Sequence, residues 1–146
     1  MSSLSLSVQY APGDVEDEPP SRARVRALIK STLPQGGEIT VRFVDKKEMT
    51  AMSQRRGKKT ACDVLSFSYH AKGERIVGDI AVCPAAAVKA AKRRGVSPAH
   101  YMSHLVVHGA LHLDGMHHDT DVAAAKMEQR ERETLARFGI ADPYSL

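Results

Sequence analysis

The stretch His108-Gly-Ala-Leu-His112-Leu-Asp-Gly115-Met-His117-His118-Asp119 carries the residue types and spacing of a metal site. In a helix, His108 and His112 stand four residues apart and project from one face about one turn apart. Gly115 is free to adopt the left-handed backbone that ends a helix, which turns His118 back toward the first two. Three neutral imidazoles suit a borderline divalent ion such as Zn²⁺ and leave the fourth tetrahedral position to water, the pattern of a reactive rather than a structural site. We expect one Zn²⁺ per chain, held by His108, His112 and His118.

The same spacing occurs in the metzincin peptidases, H-x-x-x-H-x-x-G-x-x-H, but their second position is a glutamate, the general base, and here it is Gly109. A peptidase-like hydrolase therefore has the ligands and lacks the base. Each histidine taken singly reads as part of a polar helix face, since His100, His104, His108 and His112 form an i, i+4 ladder; the combination with Gly115 and His118 favours metal. His104 lacks the downstream partner and is assigned to packing or to a place behind the ligands. His117 is a neighbour able to compete with His118.

A helix from Pro98 must present these ligands, and Ser97-Pro98 gives it an N-cap followed by proline in the first turn. Leu105, Val106, Leu111 and Leu113 give it an apolar surface, which makes it central to the core. Before it, Leu4, Leu6 and Val8 alternate as a half-buried strand, and residues 11–20 are too acidic and proline-rich for a regular element. Ser21 caps a helix through about Leu33, which Pro34-Gln-Gly-Gly stops. Glu38–Val44 alternates with period two and is rich in β-branched residues, a strand; Asp45 caps a short helix with Met49 and Met52 as core filler. Val64, Leu65 and Phe67 form a strand joined to another, Val77–Cys83, as a hairpin. Asp79 within that second strand must be paired or face a site. Pro84 opens a helix to about Arg94, ended by Gly95, and Asp121 begins a last helix to about Arg137 whose charged face reads as solvated surface.

Gln54-Arg55-Arg56-Gly57-Lys58-Lys59 is the densest cationic stretch. Its simplest account is a solvated loop; its functional one is phosphate binding, with glycine allowing close approach and arginine a bidentate grip. The formal charge of +4 and a pI near 9.2 fit an anionic partner without selecting one. With 146 residues, 42% apolar and 26% charged, the chain reads as a single domain over residues 1–146. It has no apolar run able to span a bilayer, and Met1–Val8 has neither the basic region nor the apolar core of a secretory signal, so a cytoplasmic location is the default. Cys62 and Cys83 lie outside any C-x-x-C pattern and read as reduced, buried thiols.

Taken together, Ile39-Thr-Val-Arg-Phe-Val-Asp45, Arg56-Gly57-Lys58 followed by Asp63-Val-Leu-Ser-Phe67, Gly78-Asp-Ile-Ala-Val-Cys83, the histidine motif and Asp142-Pro-Tyr144 resemble the YbeY endoribonuclease and rRNA maturation factor family. The likeness runs from Glu38 almost to the end. The family form of the histidine motif is H-G-x-L-H-L-x-G-Y-D-H; this chain departs from it at Met116 and His117, and also has Met52 for a polar residue and Cys62 for threonine, while the ligand spacing is intact.

The resemblance implies an α+β fold, a mixed sheet of about four strands with about five helices, the central one carrying HxxxH. It implies a zinc-dependent, single-strand-specific endoribonuclease acting in rRNA maturation, at the 16S rRNA 3′ end, and in ribosome quality control. Arg56 and His108 are then the expected catalytic residues, with Arg56, Lys58 and Lys59 binding substrate. Expected partners are single-stranded RNA or rRNA and the small ribosomal subunit with its proteins, with no membrane; the sequence specifies no oligomeric state. A non-catalytic ribosome-assembly factor with a structural metal is the alternative. With no tryptophan and few other aromatic residues, strong sequence readout of single-stranded RNA is not expected.

Overall fold

Alternation of serines with Leu4, Leu6 and Val8 gives the first strand, β1 (Ser3–Tyr10), one half-buried face and one exposed face. The computed structural model describes residues 3–13 and 15–145, so Met1, Ser2, Leu146 and, within the expected 11–20 loop, Asp14 lie outside the described residues. Ser21 accepts a hydrogen bond from the Arg24 amide and starts α1 (Arg22–Thr32), which returns the chain to β2 (Gly36–Phe43), parallel to β1. Gly36 and Gly37, expected only to stop the helix, are already paired strand. The close approach of β1 explains this: a Cβ at Gly36, whose φ is +80°, would lie 2.0 Å from the Ser3 carbonyl oxygen.

Asp45 caps α2 (Lys46–Arg55), and the chain then forms the hairpin of β3 (Val64–Ser68) and β4 (Val77–Val82). β4 runs parallel to β2 and β3 antiparallel to β4, giving a four-stranded mixed sheet in the order β1-β2-β4-β3. Pro84 opens α3 (Pro84–Arg94) and Gly95 ends it in the left-handed conformation; α4 (Pro98–Leu113) and α5 (Asp121–Ala136) follow. The fold is α+β, as the resemblance implied.

α4 is the centre of the larger core, packed on β3, β4, α1, α3 and α5. Eleven of its 16 residues are buried, which its apolar run made legible. A smaller core on the opposite sheet face joins Met49 and Met52 of α2 to Leu65, Ala81 and Cys83. Among the described residues, no helix is long and apolar enough to cross a membrane.

Candidate metal centre

From Tyr101 to Leu113 every residue of α4 is buried except His108 and His112. Helical periodicity puts these two on one face, and their Nε2 atoms approach to 3.0 Å. Gly115, at φ +87°, ends the turn and brings the exposed His118 ring to 5.5 Å from His108 and 5.1 Å from His112 between centroids. One ligand nitrogen from each of the three lies within 4.8 Å of the others.

The second nitrogen of each helical histidine is held. His112 Nδ1 donates to the Met116 carbonyl at 3.0 Å, and His108 Nδ1 lies 3.4 Å from the Glu131 carboxylate. Both contacts favour the tautomer that leaves Nε2 bare and aimed at the common point, the chemistry of a histidine metal ligand. Burial lowers the His112 pKa and the charge of His108 lowers it further, so its imidazole is neutral near pH 7. The residues present therefore fit a divalent ion.

A second group with metal-ligand chemistry, His104, His108 and Glu131, lies behind the first. Glu131 is 1% exposed, which the charge-rich sequence of α5 had concealed under a reading as solvated surface. Its carboxylate meets His104 Nε2 and His108 Nδ1, and receives the Tyr144 hydroxyl at 3.0 and 3.1 Å. With three donors converging on it, the carboxylate is satisfied as a hydrogen-bond acceptor. Burial alone would raise the Glu131 pKa, but the hydrogen bonds from His104 and His108 outweigh it and hold it at about 2. The same burial and the nearby Glu131 charge push the Tyr144 hydroxyl up, which keeps it a donor. His104 thus lies behind His108, bonded to Glu131. Glu131 and Tyr144 were missed, although Tyr144 belongs to the closing Asp142-Pro-Tyr motif.

His117 is exposed, bonded to Asp119, and outside both groups. Arg56 lies at the far end of α2, its guanidinium 4.4 Å from the Phe67 ring centre and donating to the Ser66 carbonyl at 2.6 Å. The Ser66 hydroxyl in turn donates to the carbonyl of Gly109, next to His108. Arg56 is thereby tied through one strand residue to the ligand helix. Lys58 is exposed, and Lys59 lines a different cavity of about 480 Å³ with Lys89 and Arg93, so the lysines are not gathered with the histidines. A cleft of about 910 Å³ opens beside His112, lined also by Ser68, His70, Lys72, Arg75 and His117.

Gly109, which replaces the peptidase glutamate, faces the sheet. A Cβ there would lie 2.7 Å from Ile80 Cγ2 and 3.1 Å from the Ser66 hydroxyl oxygen. A side chain at this position would require α4 or Ile80 to shift, so the position that holds the base in the peptidases is turned into the sheet here.

Comparison with known proteins identifies the family. The family model described as Endoribonuclease YbeY matches residues 18–139. Proteins named Endoribonuclease YbeY include one from Thiobacillus denitrificans, 38% identical over 143 residues that cover 97% of this chain and 96% of that one. Another, from Halorhodospira halophila, is 36% identical over 154 residues covering 99% and 98%. A third, from Cupriavidus pinatubonensis, is 41% identical over 128 residues, 86% of this chain and 63% of that longer relative. The solution structure of TM1509 from Thermotoga maritima superposes with a TM-score of 0.61 over 97% of this chain and 99% of that one; at 19% identity it speaks for the fold alone.

Proposed function

The chain belongs to the Endoribonuclease YbeY family, and from that premise we propose that it is a zinc-dependent endoribonuclease cutting single-stranded RNA. In this reading residues 1–146 form one metallohydrolase domain that works in the cytoplasm on rRNA maturation, at the 16S rRNA 3′ end, and in ribosome quality control, with the small ribosomal subunit as partner. The observation that carries it is the break in burial along α4: only His108 and His112 open to solvent between Tyr101 and Leu113, and His118 closes on them.

His108, His112 and His118 would hold the ion. When bound, Zn²⁺ supplies a Lewis acid that activates water near neutral pH and polarises a phosphoryl oxygen. The chain's own residues do the rest. Glu131 and the Met116 carbonyl keep the imidazoles in the ligating tautomer. Arg56 spends one N–H on the Ser66 carbonyl and keeps others for the scissile phosphate, where it offsets the negative charge that grows in the transition state. Lys58 and Lys59 extend the attraction along the RNA backbone.

The deciding experiment is metal content by elemental analysis of the native chain and of His112→Ala, each paired with cleavage of a single-stranded RNA. One zinc per native chain, lost together with cleavage in a variant that stays folded, supports the reading. Zinc with no cleavage by the native chain, ribosomes supplied, replaces it with an assembly factor holding a structural metal.

A further inference from the structure

α2 covers only part of the sheet face turned away from α4. Beyond it, Arg42, Phe67, Tyr69 and Asp79, with Arg55 and Arg56 at the end of the helix, line a groove of about 310 Å³. Strand register explains the grouping: Phe67 pairs with Asp79 across β3 and β4, and Arg42 with Ala81 across β2 and β4, so these side chains share one face.

Tyr69 is 64% exposed, one of few large apolar side chains left in water among the described residues. Its ring is nevertheless held, because its hydroxyl donates to the Asp79 carboxylate at 3.1 Å. A fixed, exposed aromatic face loses little freedom on stacking with a ligand. Among the described residues, Asp79 is the one carboxylate lining the groove and it accepts a hydrogen bond from that hydroxyl, while Arg42 pairs with Glu48 at 2.6 Å and Arg55 stands exposed at the rim. An aromatic platform beside exposed arginine is the chemistry of an unpaired nucleotide: a base stacks, and its phosphate pairs.

We propose that this groove binds one unpaired nucleotide of the RNA, its base stacked on Tyr69 and its phosphate paired with Arg55. The inference rests on the endoribonuclease reading above and extends it to the origin of single-strand preference, since a base in a duplex hides the face that Tyr69 needs. The route to the metal site is short in the fold. The ladder bonds Tyr69 N–H to Val77 O and Cys83 N–H to Asp63 O put the Ser66 carbonyl on the free edge of β3, where Arg56 meets it. Ser66 also bonds Gly109 of the ligand helix, so a strand crossing that edge passes from the groove to the histidines.

The chain has no tryptophan, so Tyr69→Trp installs a single fluorescent reporter. Metal-free Tyr69→Trp is titrated with a short 2′-O-methylated oligouridine and with a duplex of equal length, and binding is followed in parallel by anisotropy of the labelled oligonucleotide. The single strand is expected to quench the tryptophan and the duplex to leave it unchanged. Tyr69→Ala should bind the single strand about tenfold more weakly and Tyr69→Phe within about twofold of the native chain, the pattern of one lost stacking platform. Arg55→Glu should weaken binding as well. Binding by anisotropy with the tryptophan unmoved, or Tyr69→Ala binding like the native chain, overturns the groove. Cleavage by the native zinc-loaded chain is measured alongside: cleavage with no effect of Tyr69 overturns the groove alone, whereas quenching without cleavage supports the groove and removes the nuclease reading.

Discussion

Glu131 Oε2 lies 3.4 Å from Nδ1 of His108, the histidine whose other nitrogen faces His112. One buried carboxylate thus reaches the candidate metal centre through a ligand, while His104 and Tyr144 fill its remaining sites. Glu131→Gln, which keeps the shape and removes the charge, is expected to weaken zinc binding about 10- to 100-fold, as loss of such a partner does elsewhere. Competition with a chelator measures it. Unchanged affinity in the folded variant would remove Glu131 from the centre.

The same carboxylate makes a pH prediction for the metal-free chain. Its pKa is lowered on folding, from 4.5 to about 2, so the stabilisation is fully present above about pH 4.5 and is lost as pH falls toward 2. The stability difference between the native chain and Glu131→Gln should therefore shrink across that window. Urea midpoints taken at several pH values test this; a gap that widens with acid contradicts it.

Arg56→Ala should reduce RNA cleavage by about 10²-fold or more, the scale of losing one donor to transition-state charge, with zinc content unchanged. Arg56→Lys should restore only part of the rate, because an ammonium cannot both lie flat on Phe67 and bond Ser66 while gripping phosphate. Single-turnover cleavage with metal analysis on the same samples decides; native rates in the alanine variant would end the assigned role.

Gly109→Ala replaces a residue of poor helix propensity, yet its Cβ would meet Ile80 at 2.7 Å. Overpacking between α4 and β4 should outweigh the propensity gain and destabilise the chain by about 1–3 kcal/mol. Thermal melting of the metal-free protein reads this directly. A variant more stable than the native chain would show that α4 has slack to withdraw from the sheet.

Features that depend on near neighbours in the chain could be read without coordinates. His108 and His112 are ordered by the helical period, His118 by a glycine turn, and the caps at Ser21, Asp45 and Ser97 by local backbone donors, so each was legible before any tertiary structure. The family motifs added the sheet and Arg56. The role of Glu131 emerges only on folding, because it lies 27 residues from His104 in sequence, on a charge-rich helix. Helical spacing sets Glu131 between Met127 and Leu135 on the buried stripe of α5, but spacing does not say what a carboxylate there meets; the packing of α5 on α4 buries it and leaves Glu133 in water. Strand pairing likewise decided that Tyr69, Asp79 and Arg42 share a face and that Arg56 reaches the ligand helix through Ser66. A sequence orders what lies within a turn or two, and burial and charge pairing across elements are settled only when the elements meet.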